Sequence, residues 1–187
     1  MMLQSKINSP FVKLMSVFVL VIMLMAGCSK SPMDSTDDQQ PSTLLQRSAD
    51  FKASAQFSSS ELFVDQVISA SEGGRLELLD VILEIPAGAV KNDTVFSINI
   101  PDLNVFYNEF GTSGLVFDKP VRVTMSYRDA DLTGINETSI RIAWLNESTG
   151  EFEDLACEVD TVNKVITAEL DHFSAYGLIS DYMPTFP

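Results

Sequence analysis

The chain has 187 residues, with 12 basic against 26 acidic side chains, a formal net charge of −14 and a pI near 4.2. Such a balance argues against nucleic acid and anionic lipid headgroups as partners, since both need clustered Lys and Arg. With two cysteines and one histidine no cysteine–histidine metal cluster can be built, and no Gly-rich phosphate loop, catalytic carboxylate pair, basic patch or other cofactor motif is present.

The N-terminal segment has three parts. Lys6 and Lys13 supply positive charge with no Asp or Glu before residue 28, Leu14 to Met25 is almost wholly apolar, and Ala26-Gly27 are small residues ahead of Cys28. An apolar run of roughly a dozen residues suits a signal h-region and falls short of the ~20 that span a bilayer. The run Leu24-Met25-Ala26-Gly27-Cys28 resembles a bacterial lipobox. That resemblance implies removal of residues 1–27 and a diacylglyceryl group on Cys28, with a third acyl chain on its amine in many relatives. One acyl chain holds a protein only marginally, at ~0.8 kcal/mol per buried methylene, whereas two or three give lasting attachment. Ser29 in place of Asp implies sorting to the outer membrane if the bacterium has two membranes. An uncleaved membrane anchor and a secretory signal without lipidation are the alternatives for the same residues. The chain beyond Gly27 keeps 10 basic and 26 acidic side chains, a net −16. If Cys28 carries lipid, Cys157 is left alone, no internal disulfide forms, and a small buried hydrophobe is its ordinary role.

Residues 28–60 read as a lipidated cysteine and flexible tether. Ser31-Pro32, Asp37-Asp38-Gln39-Gln40-Pro41 and Ser58-Ser59-Ser60 dominate it, and Leu44-Leu45 and Phe51 are among its few apolar residues. A coil of this length spans ~30 Å root-mean-square.

From Leu62 the pattern becomes short alternating runs between turn signals. Glu72-Gly73-Gly74 is a turn. Val81, Leu83 and Ile85 alternate up to Pro86; Phe96, Ile98 and Ile100 alternate up to Pro101. Pro120 precedes Val121, Val123, Met125 and Tyr127, and Ile140, Ile142 and Trp144 follow. Ser148-Thr149-Gly150 turns into Phe152 and Leu155, Asp160 to Lys164 is the next turn, Ile166, Ala168 and Leu170 alternate, and a last strand runs roughly from Phe173 to Ile179. About eight or nine strands without a helical period predict an all-β chain, a single antiparallel β-sandwich over 61–181 with a tail at 182–187. Trp144, alternating with Ile140 and Ile142, is a core position rather than a ligand platform.

Several pieces of this region resemble the ZU-five domain, the β-sandwich named for zonula occludens proteins and netrin receptors. They are Gly73-Gly74-Arg75-Leu76-Glu77-Leu78, Val81-Ile82-Leu83-Glu84-Ile85-Pro86-Ala87-Gly88-Ala89-Val90, Phe117-Asp118-Lys119-Pro120-Val121 and His172-Phe173-Ser174-Ala175-Tyr176. The likeness covers roughly residues 68–180. It implies an accessory module of exported, surface-attached proteins without known activity, and a non-catalytic structural or interaction role at the envelope. Its partners are then the membrane, through lipid on Cys28, and a protein or glycan.

Some ZU-five relatives cut themselves between Phe and Ser of a His-Phe-Ser triplet. Carried onto this chain, Ser174 attacks the Phe173 carbonyl, an ester replaces the amide, and His172 accepts the hydroxyl proton. The competing reading is a closing strand with Phe173 pointing inward. Asp129-Ala130-Asp131-Leu132-Thr133-Gly134 loosely resembles a calcium loop, but Ile140 stands where a bidentate acid is required, so Asp129 and Asp131 are weak ligands and a solvated turn is expected. Asn92, Asn136 and Asn146 head glycosylation-type triplets and read as turn residues.

Overall fold

The structure is a computed structural model that describes residues 42–181. The lipobox, Cys28 and the tail 182–187 lie outside the described residues. Among the described residues there are twelve strands: β1 (Ser42–Leu44), β2 (Phe63–Ile68), β3 (Gly74–Leu78), β4 (Val81–Ile85), β5 (Thr94–Asn99), β6 (Tyr107–Gly111), β7 (Val116–Ser126), β8 (Arg141–Asn146), β9 (Glu151–Asp154), β10 (Cys157–Asp160), β11 (Val165–His172) and β12 (Ala175–Asp181). They form two antiparallel sheets packed as a sandwich. One runs β2-β5-β6-β12-β8-β9 with β1 added to β12; the other runs β10-β11-β7-β4-β3.

Side-chain alternation decides how the sheets face each other. Val81, Leu83 and Ile85 on β4, Val121, Val123 and Met125 on β7, and Ile166, Ala168 and Leu170 on β11 are buried from one side. Phe96 and Ile98 on β5, Phe110 on β6, Ile142 on β8 and Tyr176 and Leu178 on β12 meet them from the other. An aromatic cluster closes one end of the core. The Phe173 ring stands edge-on to Phe96 (4.9 Å) and Phe117 (4.8 Å), and Phe110 stacks on Tyr176 (5.5 Å). Burying a ring of this size contributes ~2–3 kcal/mol.

The corner after β4 shows why the Gly and Pro residues recur there. Pro86 ends the ladder because it has no N–H. Gly88 (φ +78°) takes a left-handed turn, its N–H donates to the Ala70 carbonyl (2.8 Å), and the Lys119 ammonium donates to the Ala87 carbonyl (2.5 Å). In the Glu72-Gly73-Gly74 turn it is Gly73 (φ +73°) that takes the left-handed conformation, where a Cβ would collide with the Ile85 carbonyl; Gly74 already belongs to β3.

Three expectations are corrected. The segment expected to be tether up to residue 60 is ordered from Ser42. β1 pairs with β12 (Leu44 opposite Ile179), Leu45 is buried, and its N–H donates to the Leu178 carbonyl (2.8 Å). Ser48 caps a short helix, α1 (Ala49–Ser54). Arg47 is enclosed: its guanidinium lies over the Phe106 ring (4.1 Å) and the Phe51 ring (4.8 Å), with Asp80 at 2.9 Å. That distance makes a buried ion pair. Burial pushes the Asp80 carboxyl above its usual range in spite of Arg47.

The strand count also exceeds eight or nine, because β1 and β6 carry no alternating apolar pattern. On β6 the inward positions are Asn108 and Phe110. A buried Asn, its amide donating to the Met125 sulfur at 3.8 Å, hides the period. The last strand runs from Ala175 to Asp181 rather than from Phe173 to Ile179.

Candidate functional site

His172-Phe173-Ser174 forms the crossing from β11 in one sheet to β12 in the other. Phe173 points into the core, as the closing-strand reading expects. Its N–H donates to the Leu115 carbonyl (2.9 Å), and its carbonyl accepts from the Gly114 N–H (3.0 Å). The Ser174 hydroxyl is almost buried and donates to the Leu145 carbonyl (3.3 Å). The His172 ring packs edge-on against Trp144 (5.2 Å), and the His172 carbonyl accepts from the Tyr176 phenol (2.8 Å). Burial pushes that phenol well above its ordinary pKa. The three residues are therefore neighbours engaged with different partners. A nucleophile needs its proton facing a base within about 3.2 Å, and here that proton faces a carbonyl. Among the described residues, left-handed backbone outside glycine occurs at Leu79 and Lys164, not in this triplet.

The weak calcium candidates lie apart from any acidic cluster: among the described residues no group of three His, Cys, Asp or Glu is placed to hold a metal ion. The Asp129 carbonyl accepts from the Ser48 N–H (2.8 Å), the Asp131 N–H donates to the Gln46 carbonyl (2.9 Å), and the Asp131 carboxylate accepts from the Thr133 N–H (3.0 Å). The loop docks the N-terminal segment. Cys157 on β10 is half-buried against the core rather than fully enclosed. Trp144 is likewise a partly buried core residue. Asn136 caps a single helical turn through Thr138, and the Asn146 side chain accepts from the Ser148 N–H (2.9 Å); both act as turn residues.

The feature that sequence reading missed is a cleft of about 520 Å³ on the outer face of the seven-stranded sheet. Its floor is made of small residues, Gly111, Ser174 and Ala175, and its walls include Phe63, Ser97, Asn99, Tyr107, Glu109, Leu145 and Glu147. Alternation explains the floor. Gly111 on β6 and Ala175 on β12 occupy outward positions, and their small size leaves room between taller neighbours. Tyr107 stands edge-on to Phe152 (6.4 Å) at one end. Partial burial, then the charges of Glu109 and Glu147, raise the pKa of the Tyr107 phenol. Among the described residues no Lys, Arg or His lines the cleft. A sequence signal existed, in the outward positions of β6, but it is readable only after Asn108 is placed inside.

No protein-family model matches the chain, and no curated protein is significantly similar to it. Among the described residues no helix is long and apolar enough to cross a membrane.

Proposed function

We propose that this is a lipid-anchored protein of the bacterial cell envelope whose ZU-five-like β-sandwich is a non-catalytic structural and interaction module. The observation that carries the non-catalytic part is the Ser174 hydroxyl donating to the Leu145 carbonyl while Phe173 is locked among Phe96, Phe110 and Phe117. A side chain spent on holding two strands together is a structural closure, not an armed nucleophile. The lipobox residues support the anchor. Ser42 pairs with Asp181 at one end of β12, whereas Ser174 and Ala175 lie at the other. Six residue steps separate Ala175 from Asp181, ~20 Å at 3.3 Å per residue.

Intact-mass analysis of the membrane fraction tests both parts. The expected result is a mature chain starting at Cys28 with acyl mass, with no fragment beginning at Ser174, and release of Cys28→Ala from the membrane. A parent chain without acyl mass overturns the anchor. A fragment covering 174–187, lost in Ser174→Ala, overturns the non-catalytic reading in favour of cleavage between Phe173 and Ser174.

A further inference from the structure

The cleft's charge is not matched from within. On the opposite outer face, Arg75, Glu84, Arg122 and Glu169 stand side by side on β3, β4, β7 and β11, so every charge in that row has an opposite neighbour. In the cleft, Glu109 and Glu147 share the walls with Tyr107, and among the described residues the lining holds no cation. One oxygen of Glu109 accepts from the Asn99 amide (2.8 Å), which holds that carboxylate at the wall. Arg141, further along the same side, is already held by Asp154 (2.8 Å) and Asp181 (3.1 Å). Two carboxylates beside an aromatic ring suit a cationic side chain, which gains from both charge and ring quadrupole.

The surroundings point to a protein as its source. Phe63 lines the cleft, and past the exposed Asp65, which stands opposite Ser97, Val67 and Val95 face each other on the same side of β2 and β5, 62% and 47% exposed. An apolar shelf beside an acidic cleft offers what a polypeptide with a basic residue flanked by apolar ones can cover. A free cation gains nothing from the shelf, and a neutral sugar gains nothing from the two carboxylate charges.

We propose that this cleft is the docking site for a basic segment of a partner protein, with a Lys or Arg side chain seated between Glu109 and Glu147 against Tyr107. The inference rests on the reading of this sandwich as an interaction module and names the chemistry of what it binds.

Calorimetric titration of the detergent-solubilised full chain with a short lysine-rich peptide containing apolar residues tests it. Saturable binding is expected, weakened about tenfold or more in the Glu109→Gln/Glu147→Gln double variant, since hydrogen bonds to charged groups are the strong ones. Glu84→Gln/Glu169→Gln removes the same formal charge from the opposite face and is expected to leave binding unchanged. An equal loss in both double variants means bulk attraction to an acidic protein and overturns the site. No binding, or binding of a neutral oligosaccharide in place of the peptide, also overturns it. Acyl mass on Cys28 is read independently. Lipidated protein that ignores the peptide sinks this inference alone, whereas peptide binding without acyl mass sinks only the anchor.

Discussion

On the outer face of the five-stranded sheet, Arg75 lies 2.5 Å from Glu77 and Arg122 lies 3.2 Å from Glu169, all four about half exposed. On the outer face of the seven-stranded sheet, small residues form a floor between Tyr107, Glu109, Leu145 and Glu147. Both surfaces sit on the same kind of antiparallel ladder over one shared core. The first matches its charges strand by strand around a cavity of about 340 Å³ lined by Arg75, Glu84, Arg122 and Glu169. The second leaves carboxylates and apolar area unmatched. The contrast teaches that net charge locates nothing: what distinguishes the faces is whether neighbouring strands cancel each other.

If the faces are independent surfaces over one core, core damage must disable both, and face damage only one. The largest effect is expected for Phe173→Ala, which empties the space among Phe96, Phe110 and Phe117. It should lower unfolding free energy by about 4 kcal/mol in denaturant titration. Preserved stability would mean the aromatic cluster is not the shared support.

Next comes Arg47→Ala, expected to cost about 3 kcal/mol, because it strands the buried Asp80 carboxylate. Arg47→Ala/Asp80→Ala should recover part of that loss, as no charge is then left unpaired. Hydrogen exchange at Leu45, whose N–H is bonded to Leu178, should accelerate most in the single variant. If it does not, residues 42–48 are not held by this pair.

The five-stranded side carries its own pH signature. Burial, and then the nearby Glu137 carboxylate, push the Tyr127 phenol up to about 12 from an ordinary value of about 10. The folded state keeps its proton longer than the unfolded chain does, so stability is complete below pH 10 and falls as pH rises from about 10 through about 12. Tyr127→Phe should flatten that alkaline decline in thermal melts; an unchanged decline assigns it elsewhere.

The smallest effect should come from Arg75→Ala and Arg122→Ala, each within about 0.5 kcal/mol, because exposed pairs gain little Coulomb energy and lose side-chain freedom. A loss of several kcal/mol in either would show that the charged row does more than keep that face solvated.

Much of the fold was legible wherever one side of a strand is uniformly apolar. Val81-Leu83-Ile85, Phe96-Ile98-Ile100 and Ile166-Ala168-Leu170 were readable because burial on one face imposes a period of two. Pro86 and Gly88 marked a corner through backbone chemistry that needs no context. β6 was hidden because Asn108 occupies an inward position, and β1 because three residues are too few to show a period. The packing of Phe173 was legible in part, since a large aromatic at a strand junction belongs inside. The direction of the Ser174 proton was not, because Leu145 comes from a distant strand.

The sequence by itself determined the all-β class, the turn positions, the strongly acidic balance and the residues on which a lipid anchor can be proposed, since these depend on local pattern and composition. Only the tertiary structure decided that residues 42–48 join the sandwich, that Arg75, Glu84, Arg122 and Glu169 cancel in one row, and that Tyr107, Glu109 and Glu147 share a cleft. Strand register brings residues far apart in the chain within contact distance, and no local pattern encodes which of them will meet.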